Sequence, residues 1–181
     1  EAHHQKSKDS LVMVILSDDM SLAMQMISEM MEDSAFRGEL SALRQARDVL
    51  AAASEMDRRV LESFEAQRGE TVDVQLKTGS RTLTIGVVRG EQVECRQILS
   101  VGRGAMSTIL VGISDLSMRE RLLRMGSDEL PEVALAKGIM AFQSRAYSHA
   151  EKYFAMTQPF LSEMLLGRLR GDAQSAGTEV E

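Results

Sequence analysis

The chain has 181 residues, 44% of them hydrophobic and 27% charged, with a net charge of −6. This is the composition of one folded domain or two small ones, not of a disordered chain. One cysteine, Cys95, excludes a disulfide framework and a four-cysteine zinc site, and His3, His4 and His149 are too few and too scattered for a metal cluster. The longest apolar run, Leu11–Leu16, is six residues, against about 20 for a membrane span.

Residues 1–10 are polar and lack the basic-then-apolar order of a signal peptide, so a flexible tail is expected. Glu1 in place of a Met points to a piece of a longer chain, and a cytoplasmic location is expected.

Residues 11–68 are expected to form an N-terminal helical region. Leu11–Leu16 fits either a short strand or an earlier helix. The spacing of Leu22, Met26, Ile27 and Met30 predicts a helix over 18–33, capped by Ser17 or Asp18. Met20, Met24, Met26, Met30 and Met31 crowd this stretch. Methionine fills irregular cores and also lines adaptable grooves, and the scarcity of aromatics favours core filling. After a break at Asp33-Ser34, the apolar stripe from Leu40 through Leu50 to Phe64 predicts one long helix or two over 36–68, stopped by Gly69.

Residues 69–115 change period. Val72, Val74 and Leu76 alternate, as do Leu83, Ile85 and Val87, then Val93, Cys95, Gln97 and Leu99, then Ile109, Val111 and Ile113. Thr78-Gly79-Ser80, Arg89-Gly90-Glu91 and Gly102-Arg103-Gly104 supply the turns. Four short strands with tight connections predict a small antiparallel meander or partly closed barrel.

Residues 116–170 return to helix. Ser117-Met118-Arg119-Glu120 reads as a capping box, Gly126 as a stop and Pro131 as the first turn of a helix to about Ser144. A last helical stretch from about Tyr147 to Leu169 is broken or kinked at Pro159. Residues 171–181 read as a flexible tail. Strands without intervening helices exclude a doubly wound parallel sheet, so the expected class is α+β, helical hairpins flanking a small β unit.

Two local resemblances bear on function. Gly138, Ala150 and Phe154, at offsets of zero, 12 and 16, resemble the packing positions of a tetratricopeptide helical hairpin. That resemblance implies that Leu135, Ile139, Phe142 and Gln143 line a concave groove for a peptide or helix. Gly69, Val72, Val74, Leu76, Gly79 and Gly86 resemble the opening of an Sm-like or SH3-like barrel. The Sm family holds an RNA base with an Asp and an Asn in the next turn, and Val88–Glu94 carries neither. As a whole the chain resembles segments of large multidomain bacterial proteins of the planctomycete type, which implies no activity.

The functional expectation is a non-enzymatic interaction or scaffold module that binds a protein or peptide partner of unknown identity, with no cofactor and no metal. The alternative is an Sm-like nucleic-acid binder using Arg81, Arg89, Arg96 and Arg103. Residues 69–115 carry five acids and five bases, which argues against a phosphate-binding face. An enzyme is the third reading. It would have to be built on His149 or Cys95, and no spacing pairs them.

Overall fold

A computed structural model describes residues 2–98, 104 and 106–176. In chain order the helices and strands are α1 (Ala2–Leu16), α2 (Met20–Glu32), α3 (Leu40–Ser54), α4 (Met56–Ala66), β1 (Thr71–Leu76), β2 (Gly79–Arg89), β3 (Gln92–Ile98), β4 (Met106–Gly112), α5 (Met118–Arg124), α6 (Pro131–Gln143), α7 (Tyr147–Ala155) and α8 (Pro159–Ala176). The chain is an α+β protein of two compact units. One is residues 1–54 with 127–181; the other is residues 55–126.

This partition differs from the sequence expectation at both boundaries. Helices α4 and α5 pack on the sheet, so the β unit claims 55–68 and 116–126. The N- and C-terminal helices are not separate hairpins. They share one core in which Leu11, Ile27, Leu43 and Leu50 meet Leu135, Phe154 and Leu161.

Among the described residues, the discontinuous unit contains α1, α2, α3, α6, α7 and α8, with α6 packed against α7, α3 and α1. Val133, Ala134, Leu135, Ala136, Lys137, Gly138, Ile139 and Ala141 of α6 are all buried, so almost its whole circumference is covered. A helix that is apolar all round is a core helix, not a surface one. Lys137 donates there to Asp128. The Gly138 position explains the close approach of α7: a Cβ built on it would lie 2.4 Å from Cε1 of Phe154. Pro131 occupies the first turn of α6, and Pro159 separates α7 from α8 by opening the latter.

Residues 2–10, expected as a tail, are helical, as are residues 171–176 of the expected C-terminal tail, whose residues 177–181 lie outside the described residues. Leu11, Val12, Ile15 and Leu16 bury the far end of α1 in the core, and the polar end is tied down by its own side chains. The His4 ring stacks on Phe36 at 4.2 Å, His4 Nε2 lies 3.3 Å from Glu39, and Lys8 Nζ reaches the same carboxylate at 2.9 Å. His3 Nε2 lies 3.1 Å from Asp33, whose carboxyl is held below its usual range chiefly by the Ala35 N–H, with His3 adding to it. The cap of α2 is Asp19, which accepts from the Leu22 N–H at 3.0 Å; Asp18 instead takes the left-handed turn that joins the two helices. Met20 and Met30 are core residues, with Met24, Met26 and Met31 packed at its margin.

The contiguous unit holds an antiparallel meander in the order β1-β2-β3-β4. Val74, Leu76, Leu83, Ile85, Val93, Cys95 and Val111 form its buried face. Helix α4 contributes Met56, Val60 and Phe64 to this core. Gly86 sits at the register shift between Ile85 and Val88, where a Cβ would come within 2.5 Å of the Glu94 carbonyl. The sheet does not close on itself. After β4, residues 113–115 make a 3-10 turn and Leu116 bridges back to Leu76 of β1.

Ser117 caps α5 as predicted, accepting from the Glu120 N–H at 3.2 Å. The Glu120 side chain, however, does not complete a capping box. Its Oε2 accepts from the Gln75 N–H of β1 at 3.0 Å, and its Oε1 from Arg124 Nε at 2.7 Å. Arg124 also donates to Ser63 (3.1 Å) and Gln67 (3.0 Å) and lies 3.5 Å over the Phe64 ring. This buried pair therefore has every partner that makes a buried charge tolerable.

Candidate interaction site

The residues that the tetratricopeptide resemblance assigns to a groove lie in different environments. Leu135 and Ile139 are 0% and 1% exposed and belong to the core, so no partner can reach them. Phe142 is half-buried and meets Tyr147 edge-on at 5.6 Å. Gln143 is exposed and donates to the Leu16 carbonyl at 3.4 Å. The face of α6 that would bind a peptide is filled by this chain's own helices.

An open groove lies elsewhere in the same unit, between α1 and α8, with a volume of about 560 Å³. Helix α1 contributes Gln5, Lys8, Asp9 and Val12, and α8 contributes Phe160, Glu163, Met164, Gly167 and Gly171. Both sets recur at three- and four-residue spacing, the signature of a single helical face. On its other side α8 is anchored by Leu161 and Leu165, both fully buried.

The groove has a mixed polar and apolar lining. Met13 and Met164 supply its accessible apolar surface, while Val12 and Phe160 are almost wholly buried in the core behind it. Lys8 lies 5.1 Å over the Phe160 ring while its ammonium holds Glu39. Asp9 accepts from Gln5 at 2.8 Å. Two acids, Asp9 and Glu163, balance two bases, Lys8 and Arg168. Gly167 and Gly171 are exposed, and a Cβ at either would meet nothing within 4 Å among the described residues. Internal packing therefore gives no reason for two glycines inside this helix, where each costs about 1 kcal/mol relative to alanine.

Sequence reasoning missed this groove because residues 1–10 read as a tail, which removed one wall. A signal was present in Phe160, Met164, Gly167 and Gly171, which share a helical stripe after Pro159.

Of the arginines of the nucleic-acid reading, only two are brought together among the described residues. Arg81 and Arg96 border one depression of about 270 Å³ with Thr71, Thr82 and Thr84. Arg96 pairs with Thr84 in the ladder and shares the open face, whereas Arg81 pairs with Val74 and alternates to the opposite face. Arg89 lies 3.4 Å from Glu94, and Arg103 is outside the described residues. Asp73 and Glu94 join Arg89 and Arg96 on the open face, so its described charges balance.

His149 is exposed on α7. Cys95 is fully buried, its thiol 3.8 Å from the Val93 carbonyl, and burial pushes its pKa up. A raised pKa and no access are the reverse of a reactive thiol. Among the described residues, no group of three or more His, Cys, Asp or Glu is placed to hold a metal ion, and no helix is long and apolar enough to cross a membrane.

No protein-family model matches this chain, and neither a curated protein nor a solved structure matches it at a significant level.

Proposed function

We propose that this chain is a non-enzymatic interaction module that takes a helical segment of a protein partner into the α1–α8 groove. The observation that carries the reading is the pair of exposed glycines, Gly167 and Gly171, in a groove where Met13 and Met164 offer accessible apolar side chains. Two helix faces at three- and four-residue spacing present ridges that a third helix can interdigitate, and missing Cβ atoms let its backbone come close. The balanced rim selects an amphipathic segment of low net charge rather than a strongly basic or acidic one.

Gly167→Leu separates binding from folding. A Cβ at this position has no neighbour within 4 Å among the described residues, and removing a mid-helix glycine is expected to stabilise the fold by several tenths of a kcal/mol to about 1 kcal/mol. Helical peptides selected from a display library against the 181-residue chain are expected to lose at least tenfold in affinity for the variant, while its melting temperature holds or rises. Selected peptides that bind the variant unchanged, or a selection that yields no helical binder, would remove the reading.

A further inference from the structure

We propose that two copies of this chain join through β4, edge to edge and antiparallel about a two-fold axis at Thr108, so that two four-stranded sheets become one.

The two edges of the sheet are treated in opposite ways. The outer side of β1 is covered by its own chain: the Gln75 carbonyl accepts from the Ser117 N–H at 2.8 Å, the Gln75 N–H donates to Glu120 at 3.0 Å, and the Lys77 N–H donates to the Asp115 carbonyl at 2.8 Å. Beyond that cover β1 carries Asp73, a charge on the edge. These are the devices by which folded proteins block strand addition.

Among the described residues, strand β4 has none of them. Met106–Gly112 pairs with β3 on one side and, among the described residues, with no strand on the other. Its seven residues, Met-Ser-Thr-Ile-Leu-Val-Gly, include no charge and no proline. Met106 and Leu110 are 54% and 56% exposed on the face away from α4. The ladder has a natural end at Gly112, whose N–H is taken by Asp115 at 2.8 Å.

The pattern is self-complementary. A two-fold axis through Thr108 sets Met106 against Leu110 of the second copy, and Leu110 against its Met106. Both exposed apolar side chains are then covered by one operation, with a threonine pair at the centre. The nearest like charges are the two copies of Arg96, which flank Thr108 in the register. Three strand spacings, about 14 Å, would separate them, beyond the screening length of about 8 Å at physiological salt. Because the β1 edge is occupied, the joint cannot propagate: the geometry closes at two copies instead of growing into a fibre.

A joint of this length belongs with small, weak interfaces, so the dimer is expected only at tens to hundreds of micromolar protein. Sedimentation of the 181-residue chain over that range is expected to show a reversible monomer–dimer equilibrium. Leu110→Lys is expected to weaken it at least tenfold, with circular dichroism and melting unchanged because the side chain is exposed. Thr108→Cys is expected to give a disulfide-linked dimer on oxidation, since directly opposed residues of an antiparallel pair lie about 4.5 to 5.5 Å apart at Cα. The proposal fails if the chain stays monomeric throughout, if it grows into large open-ended species, or if a dimer forms that survives Leu110→Lys and does not cross-link at Thr108→Cys.

Discussion

Arg124 and Glu120 show how one charged pair holds a small unit together. Their side chains are 10% and 7% exposed and join α4, α5 and β1. Arg124→Ala would leave the Glu120 carboxylate buried with the Gln75 N–H as its remaining donor. Breaking a buried pair from one side costs about 3 to 5 kcal/mol, so denaturant titration is expected to show the β unit unfolding at markedly lower urea. Cys95 gives a pH dependence with a definite sign. Burial raises its pKa in the folded state, so the unfolded chain releases the thiol proton first, above about pH 8.5. Its contribution to stability is therefore complete below that pH and is lost as pH rises through the folded value. Unfolding free energies are expected to fall more steeply between neutral and alkaline pH in the parent chain than in Cys95→Ala, and the native thiol is expected to resist alkylation until the protein unfolds.

At the scale of elements, two glycines set distances that no other residue allows. Gly138→Ala would drive a methyl group into the Phe154 ring and force α6 and α7 apart, at a cost of about 1 to 3 kcal/mol. The double variant Gly138→Ala with Phe154→Leu is expected to recover part of that loss, because a smaller side chain frees the contact; thermal melts of the four chains measure the coupling. Gly86 differs, since the obstructing atom is the Glu94 carbonyl and no side-chain change relieves it. Gly167 and Gly171 differ again, having open space where the other two have contacts. The same residue type thus marks a helix seam, a strand bulge and an unfilled groove, and only the surroundings tell them apart.

For the whole molecule, the division into units makes an asymmetric prediction. Residues 55–126 are contiguous and carry their own core of Val60, Phe64, Val74, Leu83, Ile85 and Val93. Expressed alone, that fragment is expected to fold cooperatively, with strand signal in circular dichroism and a single melting transition. The helical unit draws on both ends of the chain. Residues 1–54 alone lack α6, α7 and α8, which complete the shared core, and are expected to stay largely unfolded, without a cooperative melt.

Much of the fold was legible in the sequence. The period-two stretches became β1 to β4, except that Leu99 lies outside the described residues and Ile113 opens a 3-10 turn, and the breaks at Asp33-Ser34, Gly69, Gly126 and Pro159 fell where helices end or begin. These features are local: alternation, capping and turn chemistry act within a few residues and need no distant partner. What covers each apolar face is not local. The polar opening became helix because Phe36 and Glu39 lie against it, and Glu120 left its cap for Gln75, 45 residues earlier. Leu135 and Ile139 became core because helices from both ends of the chain enclose α6. The α1–α8 groove and the bare edge of β4 belong to the same class of fact. Each is defined by what the rest of the chain leaves uncovered, and tertiary packing alone decides that, because periodicity identifies an apolar face without specifying what buries it.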